Sequence, residues 1–130
     1  MAHQSGLFGD KISNSMDTIY PSEDYRMYPE FAQNEYAAYH PNTITSYSNF
    51  AVSLLGLIIE RVSGQKYEEY IQDNILKPCG MNESTFDPVK DYESLLAKGY
   101  DPGGHLSPYA YYAGNPAGFL ASSSRNMVVL

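Results

Sequence analysis

Apolar positions are scattered up to residue 48 and then become dense and periodic. From about residue 49 to 62, Ala51, Leu54, Leu55, Ile58 and Val62 recur at i, i+3, i+4, i+7 and i+11, the repeat of one helical face. Val52, Leu57 and Ile59 make the other sides apolar too, which predicts a helix buried nearly all round. Ser46 or Ser48 can cap its start by accepting from unpaired N–H groups, and Gly64 suits the left-handed stop. Gly56 costs roughly 1 kcal/mol in a helix interior. Its presence predicts that another element approaches there closely. A second helix is expected over residues 66–76, with Tyr67, Tyr70, Ile71 and Ile75 inward and Glu68, Glu69, Gln72 and Asp73 in water. Pro78 ends it, and the two helices meet across one glycine in an angular αα unit.

The remaining pattern is weaker. Residues 1–19 read as loop, with one turn of helix around residues 17–20. Pro21 and Pro29 punctuate the next stretch, and a short helix over residues 30–39 would end at His40-Pro41, because the residue before proline avoids the α region. "MNESTFDP" and "LLAKGYD" read as turns with short extended segments, Gly99 lying in a bulge or turn. Residues 101–118 hold four Gly and three Pro, a density that marks a long loop, either functional or bordering something absent from the chain. A last helix starts at Ser123 or Ser124 and is expected to continue past the end of the chain. These elements predict a mainly α chain with a few short extended segments, of a length that suits one domain.

Composition narrows the function classes. Eight basic against fifteen acidic residues leave a net charge of −7, which argues against a nucleic-acid binder, since that needs a basic footprint. Thirteen Tyr with no Trp supply large apolar bodies whose hydroxyls need a partner or water, which suits clefts and core edges. The single Cys79 excludes an internal disulfide and is expected as a small buried residue at a helix exit. No stretch reads as a signal peptide or a membrane span; the apolar run at residues 50–59 is too short for ~30 Å of hydrocarbon. The abrupt start "MAHQSGL" and the end "SSSRNMVVL" both read as cut, so targeting of a longer parent is left open.

Acyl transfer needs a nucleophile, a proton acceptor and an oxyanion site. A Ser-x-x-Lys spacing occurs at Ser63 and Lys66, but Gly64 breaks the helix between them, which predicts a helix end and a solvated lysine rather than a catalytic pair. His3, His40 and His105 lie far apart and form no H-E-x-x-H pattern, so neither a metal nor a cofactor is expected. Tyr47-Ser48-Asn49 stands at the mouth of the greasy helix. A phenol acts as a base near neutrality only beside positive charge, and an amide can both donate to and accept from a peptide-like ligand. From the residues alone, a packed Tyr and a capping Asn make the simpler reading.

The stretch "YSNFAVSLLGLIIERVSGQKYEEYIQDNILKPCGMNESTF" resembles the serine β-lactamase and penicillin-binding-protein superfamily in its class C-like branch, with D-alanyl-D-alanine carboxypeptidases and related esterases. "HQSGL" resembles that family's H-x-S-G-L, and "NPAGFLASSSRNM" its P-A-G-G-x-x-S-S-x-x-D-M. The matches extend over nearly the whole chain and are densest over residues 47–86. The resemblance implies that Tyr47 is a proton-relay base and that Asn49 hydrogen-bonds the substrate's amide carbonyl, with Ser48 as turn and cap. It also implies that residues 1–130 form one helical lobe of a two-lobe fold, excised from its α/β lobe. That lobe would be its partner and would hold the nucleophile, the lysine and the oxyanion hole. The parent would act on a β-lactam, a peptidoglycan stem peptide or an ester outside the cytoplasmic membrane, and the fragment alone would be inactive. Asn42, Phe119 and Asn126 depart from the family's glycine, glycine and aspartate. Two other readings are a non-catalytic peptidoglycan- or peptide-binding module gripping its ligand with residues 109–112, and a purely structural domain.

Overall fold

Local rules place the longest helix as expected. The structure, a computed structural model, describes residues 2–9, 16–17, 25–33, 35–112 and 114–129. Helix α2, Asn49–Ser63, starts where the Ser48 hydroxyl accepts from the Ala51 N–H and stops at Gly64, whose φ is 72°. Its burial differs from the expectation. The buried positions are Phe50, Ser53 and Gly56, whereas Leu55, Ile58 and Val62 are exposed. Small side chains on the inner face let other elements come close, and a Cβ at Gly56 would run into the ring of Pro116. Close approach wins over burial of the bulkier stripe. Phe50 anchors the start of α2: Tyr28 stacks on it at 4.9 Å, Phe8 packs at 4.4 Å, and Tyr25 completes the core cluster.

Helix α3 covers Tyr67–Ile71 and widens into a π turn over Gln72–Leu76. The wider turn bonds the Lys77 N–H to the Gln72 carbonyl, five residues back, and rotates the register. Leu76 is therefore buried and Ile75 partly exposed, the reverse of the predicted stripe. Cys79 is exposed, not buried, because Leu76 and Met81 occupy the core on either side of this turn. The angle between α2 and α3 is pinned by Glu60. Its carboxylate accepts from the Tyr25 hydroxyl at 2.8 Å, Arg26 Nη2 at 2.6 Å and the Tyr67 N–H at 2.8 Å. Glu68, expected in water, turns partly inward to Arg26 and to the Asn115 amide.

The other elements are short. Helix α1, Tyr28–Ala32, follows a 3-10 turn at Tyr25–Met27 and lies earlier than predicted, since Pro29 sits in its first turn, where a missing N–H costs nothing. Strand β1, Met16–Asp17, replaces the start of the helical turn predicted at 17–20, whose remaining residues lie outside the described ones. It pairs antiparallel with β4, Tyr111–Tyr112. Helix α4, Pro88–Tyr92, is capped by Asp87. Strands β2, Gly99–Tyr100, and β3, Leu106–Ser107, form a hairpin, so Gly99 is in a strand. Thr85, within "MNESTFDP", where a turn and a short extended segment are expected, forms an isolated antiparallel bridge to Ala121. Helix α5, Ser124–Met127, gives way to a turn at Val128 rather than running on. The helix-rich architecture with short extended pieces is as predicted.

Asn42 and Phe119 adopt φ values of 64° and 67°. The backbone keeps the left-handed geometry that a glycine would take, although neither residue is glycine. Asn126 is buried, and its side-chain amide donates to the Ser84 hydroxyl at 3.2 Å.

Candidate functional site

Ser48 divides the tripeptide into an inner and an outer side. It is extended, with φ −150° and ψ 105°, a backbone along which successive side chains alternate in direction. Ser48 is 0 % exposed and Tyr47 is 65 % exposed. The buried hydroxyl donates to the Phe8 carbonyl at 2.7 Å while accepting from the Ala51 N–H at 3.0 Å. The cap is thus tied to a second chain segment, and Tyr47 and Asn49 flank it at the N-terminal end of α2. Phe50, the next residue, is held in the aromatic core, which gives this end of the helix a rigid base.

The segment 2–9 runs beside the site. His3 has φ 49°, its carbonyl accepts from the Ser46 N–H at 2.8 Å, and its Nδ1 accepts from the Ser48 N–H at 3.3 Å. Its ring lies 4.5 Å from that of Tyr47, tilted by 34°. In the sequence, His3 stands out only as a possible metal ligand and as part of a motif; no local signal joins it to Ser48, forty-five residues away. Gly6, at φ 76°, passes so close to Tyr39 that a Cβ would overlap the Tyr39 carbonyl, and its own carbonyl accepts from the Ala38 N–H at 2.8 Å. An open groove of about 560 Å³ adjoins the site, lined by His3, Leu7, Pro41, Leu54, Leu55 and Ile58 among others.

Ser63 and Lys66 are not brought together. The Ser63 hydroxyl donates to the Ile59 carbonyl at 2.7 Å and accepts from the Gln65 N–H at 3.2 Å, while Lys66 precedes α3 on the far side of Gly64 and makes no side-chain cap bond. Among the described residues, no group of three or more His, Cys, Asp or Glu could hold a metal ion, and no helix is long and apolar enough to cross a membrane. In the 109–112 stretch, the Tyr109 ring packs edge-on against Tyr111 at 5.3 Å and Phe119 at 6.0 Å. Burial, with the nearby Asp87 charge, pushes the Tyr109 phenol up.

Comparison with known proteins gives a consistent picture. The protein of Cochliobolus lunatus named "Probable hydrolase clz13" is 44 % identical over 61 residues, 46 % of this chain and 10 % of that protein. Beta-lactamase-like protein 2 of Dictyostelium discoideum is 40 % identical over 90 residues, 64 % of this chain and 16 % of its own length. The beta-lactamase/D-alanine carboxypeptidase of Pseudomonas syringae superposes over 98 % of this chain and 35 % of its own, with a TM-score of 0.80 at 22 % identity. The chain therefore has the fold of one part of that structure and spans a minor share of each of these relatives. A family model described as Beta-lactamase matches residues 1–130 from end to end, and by that match the chain belongs to the beta-lactamase family.

Proposed function

We propose that this chain is the helical lobe of a serine acyl-hydrolase, in which Tyr47 relays the proton and Asn49 binds the substrate's amide carbonyl. The observation that carries the reading is the buried Ser48, tied to Phe8 and Ala51, between an exposed Tyr47 and a half-buried Asn49. A second, α/β lobe supplies the nucleophilic serine, the lysine and the oxyanion hole. The 35 % coverage of the carboxypeptidase structure is compatible with such a lobe. In this reading Tyr47 takes the proton from the attacking serine hydroxyl and passes it to the leaving group. A phenol does so near neutrality only beside a cation, which the second lobe's lysine provides. The whole protein acts on a β-lactam, a peptidoglycan stem peptide or an ester, outside the cytoplasmic membrane. Residues 1–130 alone are catalytically silent, because the Ser63 hydroxyl is bonded to the Ile59 carbonyl and the Gln65 N–H, and Lys66 is exposed beyond Gly64.

Intact-mass measurement after incubation with an acylating β-lactam tests this. The 130-residue chain, shown folded by far-UV circular dichroism, is expected to gain no adduct. In a chain carrying both lobes, Tyr47→Phe is expected to slow acylation by at least about 100-fold, the scale of general acid–base catalysis. A stoichiometric adduct on Ser63 of the 130-residue chain, or unchanged acylation by the Tyr47→Phe variant, would overturn the proposal.

A further inference from the structure

We infer that His3 is a positioning residue for Tyr47, an inference that rests on the reading of Tyr47 as the proton relay. Two hydrogen bonds to the one residue bracket the phenol. The Ser46 N–H donates to the His3 carbonyl at 2.8 Å, and the Ser48 N–H donates to His3 Nδ1 at 3.3 Å. Tyr47 lies between these anchor points, and the imidazole lies against its ring at 4.5 Å. Among the described residues His3 supplies the only ring contact of Tyr47, and the Tyr47 hydroxyl has no hydrogen-bond partner. A ring that is 65 % exposed has little else to fix it.

The backbone of His3 supports the same reading. Its φ of 49° lies in the left-handed region, which a non-glycine residue occupies at a cost and keeps only where its surroundings hold it there. That conformation lets the carbonyl and Nδ1 of one residue reach two amides two positions apart. Because Nδ1 accepts, the neutral imidazole carries its proton on Nε2. Ser48 is fully buried while the ring is in place, so removing the ring takes from its N–H the acceptor that the fold supplies. Loosening residues 46–48 would then displace the phenol, and a shift of about 1 Å in a catalytic group can cost on the order of 100-fold in rate.

The test uses nuclear magnetic resonance on the labelled 130-residue chain. In the unaltered chain, His3 Nδ1 is expected to resonate as an unprotonated acceptor, and the Tyr47 χ1 couplings to report one rotamer. In His3→Ala, the Ser48 amide is expected to exchange about tenfold faster, as a buried donor without its acceptor should, and the Tyr47 couplings to average over rotamers. His3→Asn places an amide oxygen where Nδ1 stands and tolerates the left-handed backbone, so it is expected to restore Ser48 protection to within about twofold. A protonated Nδ1 in the unaltered chain, or a single Tyr47 rotamer in a folded His3→Ala chain, would overturn the inference. The Nδ1 signal needs no substitution, so the test stands even where a variant fails to fold. No substrate enters it; failure of the proton-relay reading would appear in the acylation assay and leave these resonances unchanged.

Discussion

Pro116 stands where a side chain on residue 56 would lie: a Cβ at Gly56 would overlap the Cβ and Cγ of the proline ring and meet Tyr67 Cδ2 at 3.4 Å. The contact joins α2 to the 3-10 turn Asn115–Ala117 and fixes how the later half of the chain docks on the long helix. Gly56→Ala would gain roughly 1 kcal/mol in helix propensity. The overlap is expected to outweigh that gain, with a net loss of about 1–3 kcal/mol as in other overpacked cores. Urea unfolding followed by circular dichroism measures the difference, and a stabilised variant would show that the proline yields.

Neighbouring residues at the site are expected to separate cleanly into a structural and a chemical role. Ser48→Ala removes the helix cap and the bond to the Phe8 carbonyl, for a loss of about 1–2 kcal/mol. Tyr47→Phe deletes an outward-facing hydroxyl and is expected to change stability by less than about 0.5 kcal/mol. Thermal unfolding of both variants checks the contrast. Equal losses would mean that the Tyr47 hydroxyl serves the fold.

Glu60 makes the stability depend on pH. Burial alone would raise its pKa, but the Arg26 guanidinium, the Tyr67 N–H and the Tyr25 hydroxyl together hold it below the usual range. Tyr25 moves the other way, pushed up by burial and by its bond to the Glu60 carboxylate, so it stays protonated as the donor. A folded carboxylate with a lowered pKa contributes stability that is fully present above the unfolded value of about 4.3. That stability is lost as pH falls through the lower folded value. Urea midpoints between pH 7 and pH 3 should therefore fall on acidification, and fall less for Glu60→Gln. An equal fall in the two chains would remove Glu60 as the cause.

Phe119 reverses the usual ranking of alanine over glycine. At φ 67° an alanine keeps the backbone strain and loses the ring that packs on Tyr109, whereas a glycine loses the ring and the strain together. Phe119→Ala is expected to be less stable than Phe119→Gly by about 1 kcal/mol. Chemical denaturation of the pair decides it, and an alanine variant equal to glycine would mean the turn relaxes.

The outer stripe of α2 should make the chain self-associate. Leu55, Ile58 and Val62 share one face and are 40 %, 55 % and 83 % exposed. The weight-average mass in sedimentation equilibrium is expected to rise with concentration, and Ile58→Lys to suppress the rise. A monomer at all concentrations would show that the stripe is too narrow to hold a second copy.

By itself the sequence determined what short-range chemistry controls. Ser48 and Gly64 bound α2 because a cap and a left-handed stop act through a handful of adjacent residues. The close approach at Gly56 was legible too, since an unfavourable residue inside a strong helix needs a packing reason. The motif around Tyr47 and Asn49 was legible only through the family resemblance, and their catalytic roles are tested by the acylation experiments. The tertiary structure decided which face of α2 is buried, because Pro116 needs the small side of the helix rather than the greasiest one. It decided the register of the second helix, because one π turn exchanged Ile75 for Leu76. It also brought His3 to Tyr47, for no periodicity spans forty-four residues and only chain crossing can place an imidazole beside that phenol.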